Sequence, residues 1–163
     1  MSDVPHTPKG FHTVTAAMTI KNAAEAIEFY TKAFGAEEIL RLAGPGGSVV
    51  HAEIKIGDSI IMLGEEWPGH HIQSPTSMKG TTCGIHIYVQ DVDAAHKRAM
   101  DAGAKENMPP ADMFWGDRYS SVTDPYGHAW SLGTHIKELS PEECQKACDE
   151  WMAQMAADGG RNS

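Results

Sequence analysis

The chain of 163 residues predicts an α+β protein: two βαβββ modules followed by a C-terminal helix. Three observations carry that expectation. A strand–helix–strand–hairpin pattern occurs twice along the chain. Its punctuation is evenly spaced, because Gly35 and Gly103, which end the two helices, lie 68 residues apart, and the hairpin glycines Gly57 and Gly127 lie 70 apart. Two units of that size are too long and too few for a solenoid. The third observation is the stretch 123–132, TDPYGHAWSL. Asp124-Pro125 and Gly127 mark a tight turn, since proline presets φ and glycine tolerates positive φ. Tyr119, Ser121 and Thr123 alternate before the turn, and Trp130 and Leu132 after it, as in a hairpin with one apolar face.

Each element has its own signal. Residues 1–10, with Pro5, Pro8 and Gly10, read as a loose arm, and a first module spans 11–66. Within it, 12–20 alternates as a strand. Asn22 is placed to cap a helix with Glu25 three residues on, the capping-box arrangement. Ala26, Ile27, Tyr30, Ala33 and Phe34 form its buried stripe. A strand near 37–43, a GPGG turn at 44–47 and a hairpin of 48–56 and 59–65 complete the unit. Residues 67–80, rich in proline and glycine, read as a linker loop, with His70 and His71 as exposed loop residues.

The second module spans 81–137. It has a strand at 82–90, a helix capped by Asp91 with Val92, Ala95, Ala99 and Met100 inside, and a strand from about 104. The loop ADMFWGD then leads into the closing hairpin. Residues 138–163 hold a third helix and a fraying tail. Ser140, Pro141 and Glu143 give that helix its cap, first position and third position. Its stripe of Cys144, Ala147, Cys148, Trp151 and Met155 is expected to be buried.

Composition excludes some functions. There are 22 acidic against 13 basic residues, a formal net charge of −9. Nucleic acid and anionic membrane both require a positive stripe, so neither is an expected partner. No apolar run approaches a membrane span and no signal-peptide pattern opens the chain, so a cytoplasmic protein is the expectation. Three cysteines without paired spacing make no disulfide framework. No GxGxxG after a strand, no P-loop, no HExxH and no GxSxG occurs, so nucleotide-dependent and serine-hydrolase chemistry have no support.

Four segments taken in order, MTIKNAAEAIEFYTKAFGAEE, HAEIKIGDSIIML, IHIYVQDVDAAHKRAMDAGA and FWGDRYSSVTDPYGHAWSLGTH, resemble the vicinal oxygen chelate superfamily. That superfamily includes glyoxalase I, bleomycin-resistance proteins and extradiol dioxygenases, and the segments look most like its PhnB-like branch. The resemblance implies paired βαβββ modules, a U-shaped cavity, a homodimer and a small-molecule ligand. It also implies a divalent metal held by the first and last strands of each module. Carried over by helix caps and hairpin turns, those positions fall at Thr15, Met62, Gly84 and Ser131. The usual histidine and glutamate set is missing there, which departs from the metal enzymes of the family.

Strand parity suggests a displaced alternative. With Val50, Ala52, Ile54 and Ile56 facing the helix, His51 and Glu53 face the cleft, as does His86, two residues from Gly84. Two histidines and a carboxylate are the ligand chemistry of open iron, zinc, nickel or manganese sites; the alternative is polar cavity lining. Glu53 is also a candidate catalytic base. Tyr88, on the face of His86, and Ser131 are candidate ligand contacts. Trp115 offers an aromatic cover, with a loop-to-core anchor as its alternative. Arg118 offers an anion clamp, with an internal ion pair as its alternative. The leading expectation is therefore a cleft that binds a small molecule, by sequestration or metal-independent chemistry. A metal-dependent lyase, isomerase or dioxygenase is the second, and a non-catalytic dimeric interaction module the third.

Overall fold

A computed structural model describes residues 4–69 and 71–159; the first three residues, His70 and the end of the tail lie outside the described residues. The chain runs β1 (Ala17–Ile20), α1 (Ala23–Phe34), β2 (Glu37–Ala43), β3 (Val49–Ile56), β4 (Ser59–Glu65), then a short α2 (Pro75–Met78) inside the linker. The second unit is β5 (Gly84–Tyr88), α3 (Val92–Ala102), β6 (Lys105–Asp112), β7 (Asp117–Thr123) and β8 (Ala129–His135), and α4 (Pro141–Gly159) follows. The two four-stranded sheets have the orders β1-β4-β3-β2 and β5-β8-β7-β6. In each, the first strand runs parallel to the last and the other pairs are antiparallel. This is the expected pair of βαβββ modules.

Each sheet buries one face against its helix. From the first module Met18, Ile20, Ala52, Ile54, Ile61 and Leu63 join the stripe of α1. From the second, Val122, Trp130 and Leu132 meet Val92, Ala95 and Ala99 of α3. One core serves both units. The Trp130 ring lies 4.5 Å from Phe34 and 5.2 Å from Tyr30, centre to centre, so β8 packs directly on α1. Gly35 and Gly103 end their helices in the left-handed conformation, at φ 69° and 112°. There only glycine avoids the cost of a Cβ.

Several local expectations need correction. Asn22 sits at φ 65°, and no hydrogen bond from its side chain caps the helix; its left-handed backbone turns the amide away from the first-turn donors. Asp91, by contrast, is extended and accepts from the Ala94 amide at 3.0 Å. Val49, not Val50, points into the core, because a register irregularity between Leu42 and Ala43 shifts parity at the start of β3. The first strand is shorter than the alternation at 12–20, since ladder pairing with β4 begins at Ala17. β6 continues through Pro109 and Pro110 as expected, with a register irregularity between Met108 and Ala111. As the edge strand of its sheet it can do without those two amide donors. The stripe of α4 is not buried as expected: Cys144, Ala147 and Cys148 are half-buried, while Trp151 and Met155 are exposed. That helix meets the body chiefly at the 113–116 loop, where Trp151 packs on Phe114 with ring centres 5.5 Å apart.

Candidate functional site

The faces turned away from the helices differ between the two sheets. In the second sheet the register sets His86 of β5 beside Ser131 of β8, and Tyr88 beside Gly133. β7 adds Asp117, Tyr119 and Ser121 opposite His135, Gly133 and Ser131. Alternation puts all of these side chains on one face. The result is an aromatic and polar floor. His86 Nδ1 and Ser131 Oγ share a hydrogen bond of 2.8 Å. The His86 ring meets Tyr88 edge-on at 4.6 Å and stacks with Tyr119 at 6.2 Å, and Trp115 packs edge-on against Tyr119 at 5.6 Å.

Gly133 makes room for that arrangement, since a Cβ there would lie 2.8 Å from His86 Nε2 and 3.3 Å from Tyr88. At the end of β8, His135 Nδ1 lies 2.7 Å from the buried Asp117 carboxylate, which also accepts from the Tyr88 hydroxyl at 3.4 Å. The Asp117 bond raises the His135 pKa above its ordinary value, with Glu138 adding to the effect.

A cleft of about 910 Å³ opens beside this floor, along the free edge of β5. His86 and Tyr88 form one wall. Ile56, Ile60, Ile61 and Phe34 of the first module form the other, and Arg98 of α3 stands at the margin. Such a volume, part apolar and part polar, suits a small organic ligand.

In the first sheet, Leu40 pairs with Glu53 and Leu42 with His51 on the outward face, and Met62 lies beside Glu53 and Ala17. His51 Nε2 and Glu53 Oε1 are 3.4 Å apart. His86 bonds Ser131 on the other sheet, so the expected trio of His51, Glu53 and His86 is only a pair plus a separate histidine within the chain. Among the described residues no three histidine, cysteine, aspartate or glutamate side chains cluster as metal ligands.

The family positions also need a shift. Ser131 pairs with His86, not Gly84, and Met62 pairs with Ala17, not Thr15, which precedes β1. Counting from helix caps misplaced both first strands by two residues. The corrected set of Ala17, Met62, His86 and Ser131 holds one imidazole, one thioether, one hydroxyl and one methyl group. Zinc and iron sites need three or four nitrogen, sulfur or carboxylate donors, so this set does not fit such a metal.

Arg118 points to the helix side of its sheet. Its guanidinium is bonded to Asp93 of α3 at 2.6 and 2.8 Å and to Asp112 at 2.7 Å. Those bonds lift its pKa and hold Asp93 below the usual carboxylate range. The internal ion pair is therefore the arrangement found. Trp115 is half-buried and joins the floor through Tyr119. In the closing turn burial lowers the pKa of His128, whose Nε2 is enclosed without a partner among the described residues. Strand parity puts Asp117 on the face of Tyr119, but its bonds to Tyr88 and His135 depend on pairing across strands, and Arg98, on an exposed helical position, gave no signal.

Paired βαβββ modules, each with the first strand parallel to the last, define a class of protein that comparison makes specific. The chain belongs to the Glyoxalase/Bleomycin resistance protein/Dioxygenase superfamily, whose family model matches residues 11–132. An uncharacterized protein of Mycobacterium bovis is 44% identical over 133 residues, covering 80% of this chain and 88% of its own. Among solved structures, TioX from Micromonospora sp. ML1 superposes with a TM-score of 0.61 at 26% identity, over 77% of this chain and 99% of that one. The fold is also shared with a PhnB protein from Bacillus cereus, with TM-score 0.60, 16% identity and coverage of 76% and 99%. No helix among the described residues is long and apolar enough to cross a membrane.

Proposed function

We propose that the protein binds a small, flat organic molecule in the cleft along β5, by sequestration or by chemistry that needs no metal. One observation carries this reading: His86 is fixed by Ser131 over Gly133, edge-on to Tyr88 and stacked with Tyr119, on a face left open to a 910 Å³ cleft. Tyr88 is 68% exposed, an unusual cost for an aromatic ring with no ligand to cover it. Family membership supports the reading, because the superfamily groups a bleomycin resistance protein with glyoxalase and dioxygenase. The donor set at the corrected strand positions favours binding over metal chemistry.

The same reading has the protein work as a homodimer. Its support is the exposure of Leu40 and Leu42 on the edge strand β2, and of Ile39 and Val50 where the β2–β3 register is interrupted, apolar side chains that a second copy would cover. Sedimentation equilibrium tests this part; a monomer at micromolar concentration removes it.

The binding reading is tested with a panel of aromatic small molecules, followed by intrinsic tryptophan fluorescence and thermal shift. Wild-type protein is expected to take members of the panel at micromolar affinity, and His86→Ala and Tyr88→Ala to lose at least tenfold. Equal affinity in wild type and both variants would remove the cleft as the site.

A further inference from the structure

The cationic side chains indicate which small molecules the cleft favours. The described residues contain three arginines, and two are already occupied. Arg41 is bound by Glu38 at 2.6 and 3.0 Å, and Arg118 by Asp93 and Asp112. Arg98 differs. It has no carboxylate within 4.0 Å among the described residues, lies exposed on α3, and lines the cleft that holds His86 and Tyr88.

Asp91 and Asp58 share that border, but both are engaged locally. Asp91 accepts from the Ala94 amide at the start of α3, and Asp58 from the Ser59 hydroxyl. Both keep their charge, so in a chain of net charge −9 an anion in this cleft has the Arg98 guanidinium as its one unpaired cationic anchor among the described arginines. A guanidinium presents paired N–H donors that match the two oxygens of a carboxylate, sulfonate or phosphate. The apolar wall of Ile56, Ile60, Ile61 and Phe34 cannot solvate such a group, so the anion has one favourable end of the cleft.

We propose that the cleft selects aromatic monoanions, with the ring against His86 and Tyr88 and the anionic group on Arg98. The inference rests on the cleft-binding reading above and adds the charge and orientation of the ligand.

Two fluorescent probes of nearly the same shape separate the possibilities: the anionic anilinonaphthalene sulfonate and the neutral N-phenylnaphthylamine. Both are titrated into the full-length protein and its Arg98→Gln, Arg98→Lys and Tyr88→Ala variants. The expected result is tighter binding of the anion by wild type and a loss of about tenfold for the anion alone in Arg98→Gln. Arg98→Lys should recover part of that loss, and Tyr88→Ala should weaken both probes. If wild type binds the two probes equally, or Arg98→Gln leaves the anion's affinity unchanged, the anion preference is overturned; the cleft survives as long as Tyr88→Ala weakens both. Binding of neither probe, or binding indifferent to Tyr88→Ala, overturns the cleft reading together with the anion preference.

Discussion

The two modules share one topology and use it for different ends, most visibly at their hairpin turns and on their open faces. The turn of the first hairpin, Gly57-Asp58, stands in solvent, and Asp58 does no more than accept from Ser59. The corresponding turn of the second is built around a buried aspartate. Asp124 accepts from the Tyr30 hydroxyl at 2.7 Å and the Trp130 indole at 2.9 Å, and from the amides of Tyr126 and His128 at 2.9 Å. Burial and the Asp124 charge together drive the Tyr30 pKa far upward, so its hydroxyl stays a donor. One carboxylate thus closes its own hairpin and ties it to the helix of the other module. The lesson is that the repeat preserves the path of the backbone while the buried polar links are unique to one copy.

The largest expected effect follows from that contrast. Asp124→Ala leaves the enclosed Trp130 and Tyr30 donors without an acceptor, and should cost about 3 kcal/mol or more. Asp58→Ala should change stability by no more than about 0.5 kcal/mol. Urea unfolding of both variants checks the pair. Similar losses for the two would mean that the modules are held by apolar packing alone.

A second contrast concerns two glycines in matching places, each two residues past the last-strand position of its module. A Cβ on Gly64 would lie 2.7 Å from the Val50 carbonyl oxygen, which is backbone and cannot yield without parting β3 from β4. A Cβ on Gly133 would meet the far end of the His86 ring, which can swing away. Gly64→Ala should therefore destabilise by about 1–3 kcal/mol. Gly133→Ala should lose less than about 1 kcal/mol yet release His86 from Ser131. Thermal unfolding gives the first comparison, and the imidazole NMR signals of His86 the second. An unmoved His86 signal in Gly133→Ala would show that the ring is not held as described.

Much of this architecture was legible in the sequence. Helix-ending glycines, the Asp91 cap and strand alternation depend on local chain geometry, so Gly35, Gly103, Trp130 and the shared face of His86 and Tyr88 could be read from spacing. What could not be read depends on partners distant in the chain. Arg118 is claimed by Asp93, 25 residues away, and Asp124 by Tyr30, 94 residues away. The two-residue error at Thr15 and Gly84 has a similar origin, because strand register is set by pairing across the sheet and not by distance from a helix cap. His51, Glu53 and His86 shared the right parity, but parity fixes only which face of a sheet a side chain takes. It does not bring two sheets together.

The donor set yields a smaller effect. Zinc or nickel at equimolar concentration should show no His86-dependent binding by calorimetry, because one imidazole is a single ligand where such sites need at least three. A stoichiometric site that disappears in His86→Ala would overturn the metal-free reading and show that further ligands reach His86.

The smallest effect belongs to the end of β8, where the second sheet again has a polar link with no counterpart in the first. The Asp117 carboxylate favours protonated His135, so the folded pKa lies above the unfolded value of about 6.5. With that sign, the pair's contribution to stability is fully present below the unfolded pKa and fades as pH rises through the folded one. His135 is nearly half exposed, so solvent screens the interaction and the dependence should be shallow. An NMR titration should find the His135 midpoint above 6.5 in wild type and closer to it in Asp117→Asn. A midpoint unmoved by that substitution would assign the shift to Glu138 and leave Asp117 as a partner of Tyr88 alone.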